Sequence, residues 1–390
     1  MSVNNMSIEQ AYALVNEIHE QATGHKSIAP VDFTSFVSVA QATLAAGYEP
    51  VLNAITQVLT KTLIAVRPYS RKFSGLEVTA DRWGGIVRKI SFGDRGSVDD
   101  PTYQLVDGQS IDQFEVRKAD AIETRYVGSV EYMGTYTIYT RQLDVAFSNP
   151  AEFASFMSGL MTHFSNEREQ WLENLSRTIV SNLIAAENVI NNTESVVKLL
   201  TEYNAATGLT LTATTVMQPA NFKPFMQWVY ARISNLSRMM TERSELFQQK
   251  MTGHLIARHT PKEDQKVYML ANYLDAFDAQ VLADTYHDNF LAYADVEPVT
   301  FWQDIKAPDQ IQATPVYVDS SGIVTNGTAQ TMSKVVGVIF DRDAAGYNIY
   351  QNELSTSPYN AAGQYYNIFS HMRVQLQNDV TEKAAILLLA

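Results

Sequence analysis

Between Pro150 and about Glu187 the chain meets no helix breaker except Gly159, and this stretch constrains the fold more than any other feature of the sequence. Asn149 is a natural N-cap, Pro150 suits the first helical position, and Glu152 has capping-box spacing. Phe153, Phe156, Leu160, Phe164, Trp171, Leu175, Ile179 and Leu183 then recur at helical intervals. At about 1.5 Å per residue the helix is a rod on the order of 55 Å long, more than an ordinary globular domain uses. It carries no sustained heptad, so it is not a coiled-coil strand. It reads as a spine on which other elements lie.

The C-terminal part is equally distinctive. Val335-Val336-Gly337-Val338-Ile339-Phe340 reads as a buried strand that meets the acidic turn Asp341-Arg342-Asp343. A polar, aromatic excursion follows, with Tyr347, Tyr350, Tyr359, Tyr365 and Tyr366. The sequence then closes on Thr381-Glu382-Lys383-Ala384-Ala385-Ile386-Leu387-Leu388-Leu389, a second strand that ends inside a sheet. Enzymes seldom finish this way.

The rest of the chain falls into modules. A helix is predicted over Ile8 to Thr23, with Ser7 and Gln10 at capping-box spacing and Gly24 as its stop. A looser segment runs to about Pro50, followed by a helix that buries Val51, Leu52, Ile55, Val58, Leu59 and Leu63. From Arg67 to about Leu143, Gly75, Gly84, Gly85, Gly93, Gly96, Gly108, Gly128 and Gly134 punctuate short alternating pieces that read as extended β-hairpin structure. Arg82, Arg88, Lys89, Arg95, Arg117, Lys118 and Arg125 stand there among Asp and Glu. This arm is too polar to build its own core and needs a neighbour to lie on. Beyond the spine we expect a short helix (Val196 to Asn204), a Thr-rich strand (Leu209 to Met217) and a helix starting near Pro224. A strand (Lys266 to Leu270), a helix (Leu274 to Tyr286) and a loop-rich zone from His287 to about Lys334 complete the series.

Composition narrows the function. With 390 residues and 46% hydrophobic content the chain buries a full core and has room for two or three units. No apolar run reaches the roughly 18 to 20 residues needed to span a bilayer, and no signal-peptide pattern opens the sequence, so a cytosolic protein is expected. The absence of cysteine excludes disulfides, thiolate metal sites and cysteine nucleophiles. A net charge of -13 argues against a nucleic-acid reader, although an acidic container remains compatible with enclosed DNA.

Candidate chemistry is sparse. Asp341-Arg342-Asp343 after a hydrophobic strand imitates the DxD nucleophile motif of haloacid-dehalogenase-type phosphotransferases, whose paired carboxylates hold Mg²⁺ and attack phosphate. That motif belongs near the start of a doubly wound fold, and no βαβ repeat follows it here. The bland reading, a strand-end acidic turn, is preferred. His254 and His259 diverge by about 140° on an ideal helix, so they do not form a zinc face. His19, His25, His163, His287 and His371 lack ligand-spaced partners. The arm's glycines form neither GxGxxG nor a P-loop. We therefore expect no catalytic, cofactor-binding or metal-ligating residues.

The order of modules resembles a known family. An N-terminal arm, a charged β-hairpin, a long spine helix, a mixed α/β insertion and a C-terminal return strand resemble the Hong Kong 97-type major capsid fold of tailed bacteriophages, and most closely the head proteins of short-tailed phages of Gram-positive hosts. The residues that carry this are Arg67 to Phe92, Thr140 to Phe147 leading into the Asn149 helix, Lys266 to His287, and Val335 to Leu389, including Tyr366-Asn367-Ile368-Phe369. The resemblance implies an α+β fold of five parts. These are an N-terminal arm with helices (1–66), an extended E-loop (67–143) and a peripheral domain with the spine helix (144–206). An axial domain (207–334) and return strands completing the peripheral domain (335–390) follow.

It further implies a major capsid protein that self-assembles into hexamers and pentamers of an icosahedral head enclosing double-stranded DNA. A separate scaffolding protein and a portal at one vertex would be its partners, with assembly in the host cytoplasm and final residence in the virion. Arg82, Arg88, Lys89, Arg95 and Arg117 are the expected intersubunit contacts of the E-loop, and Gly75, Gly134 or the ends of the loop its hinges. Some relatives cross-link Lys to Asn; Lys72, Lys89 and Lys118 lie in the corresponding module, but no reactive pair is expected. An encapsulin-like nanocompartment shell and an Asp341-dependent hydrolase are the alternatives.

Overall fold

The structure is a computed structural model, described for residues 7–25, 32–62, 69, 71–78, 86–94, 99–104, 106–114, 116, 118, 120–191, 193–275 and 296–390. Helix α1 (Ile8–Thr23) forms where expected. The Ser7 side chain accepts from Gln10 N–H, the Gln10 side chain returns the bond, and Gly24 ends the helix at φ 73°. Helix α2 (Phe33–Ala45) lies in the segment expected to be loose. Asp32 and Ser35 form a reciprocal cap, and Phe36 and Ala40 bury against α1 and Phe153. Its Ser, Thr and Val content hides the helical period. Helix α3 (Tyr48–Thr62) completes a small N-terminal bundle.

Strands β1 (Ile86–Gly93) and β2 (Asp120–Val127) pair antiparallel and form the arm. Strand β3 (Val130–Tyr139) does not belong to it; β3 pairs with residues 365–374 far along the chain. Gly134 therefore sits mid-strand opposite Ser370 and is no hinge. Helix α4 (Thr140–Ala146) leads into α5 (Pro150–Ile190), the 41-residue spine. Asn149 caps it by accepting from Ala151 N–H rather than through Glu152.

Val196–Lys198 is a strand, β4, and the short helix begins only at α6 (Leu199–Thr207). The β-branched pair Val196-Val197 is pulled into the sheet by parallel pairing with residues 386–388. The expected strand at 209–217 is a turn in which Thr212 and Thr215 hydrogen-bond each other's amides. Helix α7 (Pro219–Thr241) begins at Pro219, with Pro224 inside it. Strand β5 (Gln265–Leu270) forms as expected, and only the first residues of the Leu274 to Tyr286 helix lie among those described.

The loop-rich zone contains short strands β6 (Val296–Val299), β7 (Ile311–Ala313), β8 (Val316–Val318), β9 (Val324–Asn326) and β10 (Gln330–Met332). Strand β11 (Val335–Asp341) follows. The aromatic excursion is no excursion: it forms two long strands, β12 (Ala345–Thr356) and β13 (Tyr365–Asn378). The chain returns as β14 (Ala384–Leu388).

Three cores organise these elements. The five-stranded sheet β4-β14-β11-β5-β6 is covered on one face by the C-terminal half of α5 and on the other by α6 and α7. Both faces are buried, so β11 and β14 read as continuous apolar runs. An irregularity between Val335 and Gly337 puts Val335 and Val338 on the α5 side and Val336 and Ile339 on the α7 side. The N-terminal half of α5 packs instead against α1, α2, α3, α4 and the three-stranded sheet β12-β13-β3. One helix thus ties two cores together, as a spine must. No helix among the described residues is long and apolar enough to cross a membrane.

Candidate assembly interface

Among the described residues the arm contributes no side chain to the three cores. Its alternation explains why. Pairing sets Arg88 opposite Arg125, Ile90 opposite Glu123 and Phe92 opposite Ala121, so these residues share the outer face. Lys89, Ser91, Ile122, Thr124 and Tyr126 share the inner one. Outside, Phe92 is 66% exposed and Val127 70%, and Arg88 and Arg125 both clasp Glu123, at 2.5 and 2.8 Å. Arg125 first and then Arg88 hold the Glu123 carboxyl down at about 2. Toward the tip, Tyr103, Val106, Phe114 and Val116 are also exposed, Tyr103 by 92%. Large apolar side chains gathered on a projecting element without a core mark a surface built to be covered.

The inner face meets the same chain through polar groups. Lys89 Nζ lies 2.7 Å from Asp379 Oδ2 and also pairs with Glu382 Oε1. Arg258 reaches Glu382 at 2.5 Å, Ser91 Oγ at 2.9 Å and Thr381 Oγ1 at 3.2 Å. All four charged side chains are largely buried. Burial works against ionisation of Asp379, but Lys89 and Thr381 outweigh it and hold its pKa below the usual value. For Glu382 burial wins over Lys89 and Arg258, and its pKa is raised. Farther along the arm, Asp94 N–H donates to Leu255 O, Arg243 pairs with Asp94, and His254 with Asp120.

Of the residues expected at the intersubunit contact, Arg88 lies on the outer face and Lys89 points inward to Asp379 and Glu382. Arg82, Arg95 and Arg117 fall outside the described residues. Sequence reasoning missed Asp379 and Glu382, whose only signal was a charge cluster just before a wholly apolar final strand, and Arg258, which carried no signal of its own.

The enzymatic motif is occupied structurally. Thr260 Oγ1 and Asp343 N–H donate to the two carboxylate oxygens of Asp341, at 2.6 and 2.9 Å, and Arg342 pairs with Asp264. Asp343 faces away with Arg342 at 3.7 Å. Among the described residues no three His, Asp or Glu side chains converge as a metal site.

A family model for Phi29-like phage major capsid proteins matches residues 12–388. The chain belongs to that family. Solved structures agree on the fold, which is of Hong Kong 97 type. A structure described as the capsid of Staphylococcus phage Andhra aligns with a TM-score of 0.52 at 10% identity, covering 84% of this chain and 86% of that one. One described as the head fiber and inner core protein gp22 of native bacteriophage P68 aligns with a TM-score of 0.53 at 9% identity, covering 82% and 85%. No curated protein sequence matches. At these identities the structural likeness carries the fold, and the family match carries the role of major capsid protein: a structural subunit of a homo-oligomeric shell, resident in the virion.

Proposed function

We propose that the protein assembles into hexamers and pentamers of a closed head around double-stranded DNA, with the outer face of the arm lying on a neighbouring subunit. The observation that supports this reading is the exposure of Ile90, Phe92, Val127 and the tip residues beside the Arg88–Glu123–Arg125 cluster. Apolar anchors supply the contact area, and the charge cluster fixes register. Arg88 acts on this face, with Arg82, Arg95 and Arg117 as further contacts of the same arm; Lys89 serves the arm's own attachment instead.

The role is structural and not catalytic. A separate scaffolding protein and a portal are the partners of assembly, which takes place in the host cytoplasm. Electron microscopy and light scattering of the purified full chain, with and without a scaffolding partner, test this. Hexamers, pentamers or closed shells are expected, and a persistent monomer or dimer under all conditions would overturn it.

A further inference from the structure

The arm is held to its own subunit differently from every other element of the fold. Each helix and long strand of the body enters one of the three cores, whereas no described side chain of β1 or β2 does. What fastens the arm is the junction of Lys89, Arg258, Asp379 and Glu382, with outlying polar contacts at Asp94 and Asp120 and a hydrogen bond from the Gln375 side chain to Tyr126 O. The surfaces around the junction are incompletely packed. A cleft of about 140 Å³ lies between Ser91, Ile122 and Thr124 of the arm and Met251, Ile256 and Val324 of the body.

We propose that this four-charge junction is a latch, which sets the angle of the arm against its own subunit and lets the arm swing as a unit when it opens. Two buried, mutually neutralising pairs add little net stability, because desolvation offsets their attraction. They do enforce position, since a small displacement leaves buried charges uncompensated. Full withdrawal of the arm returns Lys89 to water while Arg258 stays with Glu382, and it uncovers Ile256 but none of the three cores. The cleft beneath the inner face gives the arm room to move before it meets the body. The other ionisable groups near the junction are Tyr126 on β2, Glu187 on α5 and Lys383 beside Glu382. The latch concerns attachment within one chain and does not depend on what the outer face touches.

Hydrogen exchange on free subunits of the full chain tests it segment by segment. In Lys89→Met, Asp379 loses its paired cation and Glu382 one of two among the described residues, so protection of the Asp94 amide, which bonds Leu255 O only while the arm is docked, should fall by roughly tenfold or more. Amides of β11 and β14 should keep their wild-type protection, and Lys89→Arg should keep the Asp94 amide protected as well. Unchanged exchange of the Asp94 amide in Lys89→Met would show that other contacts hold the arm and would overturn the latch. Equal loss in β11 and β14 would also overturn it, by making the junction part of the body's general stability.

Discussion

Thr260 Oγ1 donates to Asp341 Oδ2 across 2.6 Å, and both residues are buried. Together with the Asp343 amide on the other oxygen, this bond turns the chain out of β11 and toward β12. Asp341→Ala removes both bonds and strands a buried hydroxyl, and should cost about 2 kcal/mol in chemical denaturation. An Asp341-dependent hydrolase would behave oppositely, with Asp341→Asn losing turnover while stability stayed nearly unchanged. Denaturation curves and a phosphatase assay on the two variants separate the readings.

The spine helix, α1 with its capping box, and the strands at 265–270 and 335–341 were legible because each rests on a local signal: a cap, a 3.6-residue period, or an apolar run. Helix α2 and the strand pair β12–β13 were hidden for the opposite reason. Their residues are half-buried and mixed in character, and what defines them is a partner distant in sequence, such as Phe153 for Phe36 or β3 for β13. The same holds for the arm. Its charges were visible, but Lys89 and Arg88 are neighbours with opposite fates, decided by strand parity against a turn almost three hundred positions away. Periodicity cannot assign a face until the pairing register is known.

Gly337 sits in β11 where a Cβ would lie 2.9 Å from both Tyr268 O and Met269 Cγ on β5. The backbone on the neighbouring central strand cannot yield without disturbing the ladder between the two largest cores. Gly337→Ala should therefore destabilise by about 1–3 kcal/mol despite alanine's lower chain entropy. Thermal unfolding measures this, and Gly159→Ala on α5, where a Cβ meets open space, serves as the contrasting substitution. That change should be neutral or stabilising by up to about 1 kcal/mol.

Phe92→Asp and Arg88→Glu address the outer face of the arm. Phe92 is exposed and touches no core, while Arg88→Glu would set two acidic groups against each other at Glu123. Both variants should unfold at temperatures close to wild type, within about 0.5 kcal/mol, because neither alters the packed body. Both should fail to form shells, or form them only at higher protein concentration, as seen by light scattering. Normal assembly of both variants would remove the arm from the intersubunit contact.

Glu187, in the last turns of α5, is fully buried, and burial pushes its carboxyl up to about 8, with Asp379 adding to the effect and Ser195 opposing it. The sign of the pH dependence follows from linkage. Below the unfolded value of 4.5 the group is protonated in both states and costs nothing. As pH rises past that value the unfolded chain releases the proton while the folded one retains it, so stability declines until about pH 8. Beyond that point both states are ionised and the penalty is complete. Glu187→Gln keeps the shape and abolishes this slope. The variant should match wild type near the unfolded value and become increasingly more stable up to about pH 8, by an amount on the order of a few kcal/mol at most. Denaturation midpoints across that range check it, and parallel pH profiles for the two proteins would mean that Glu187 does not carry its proton into the folded state.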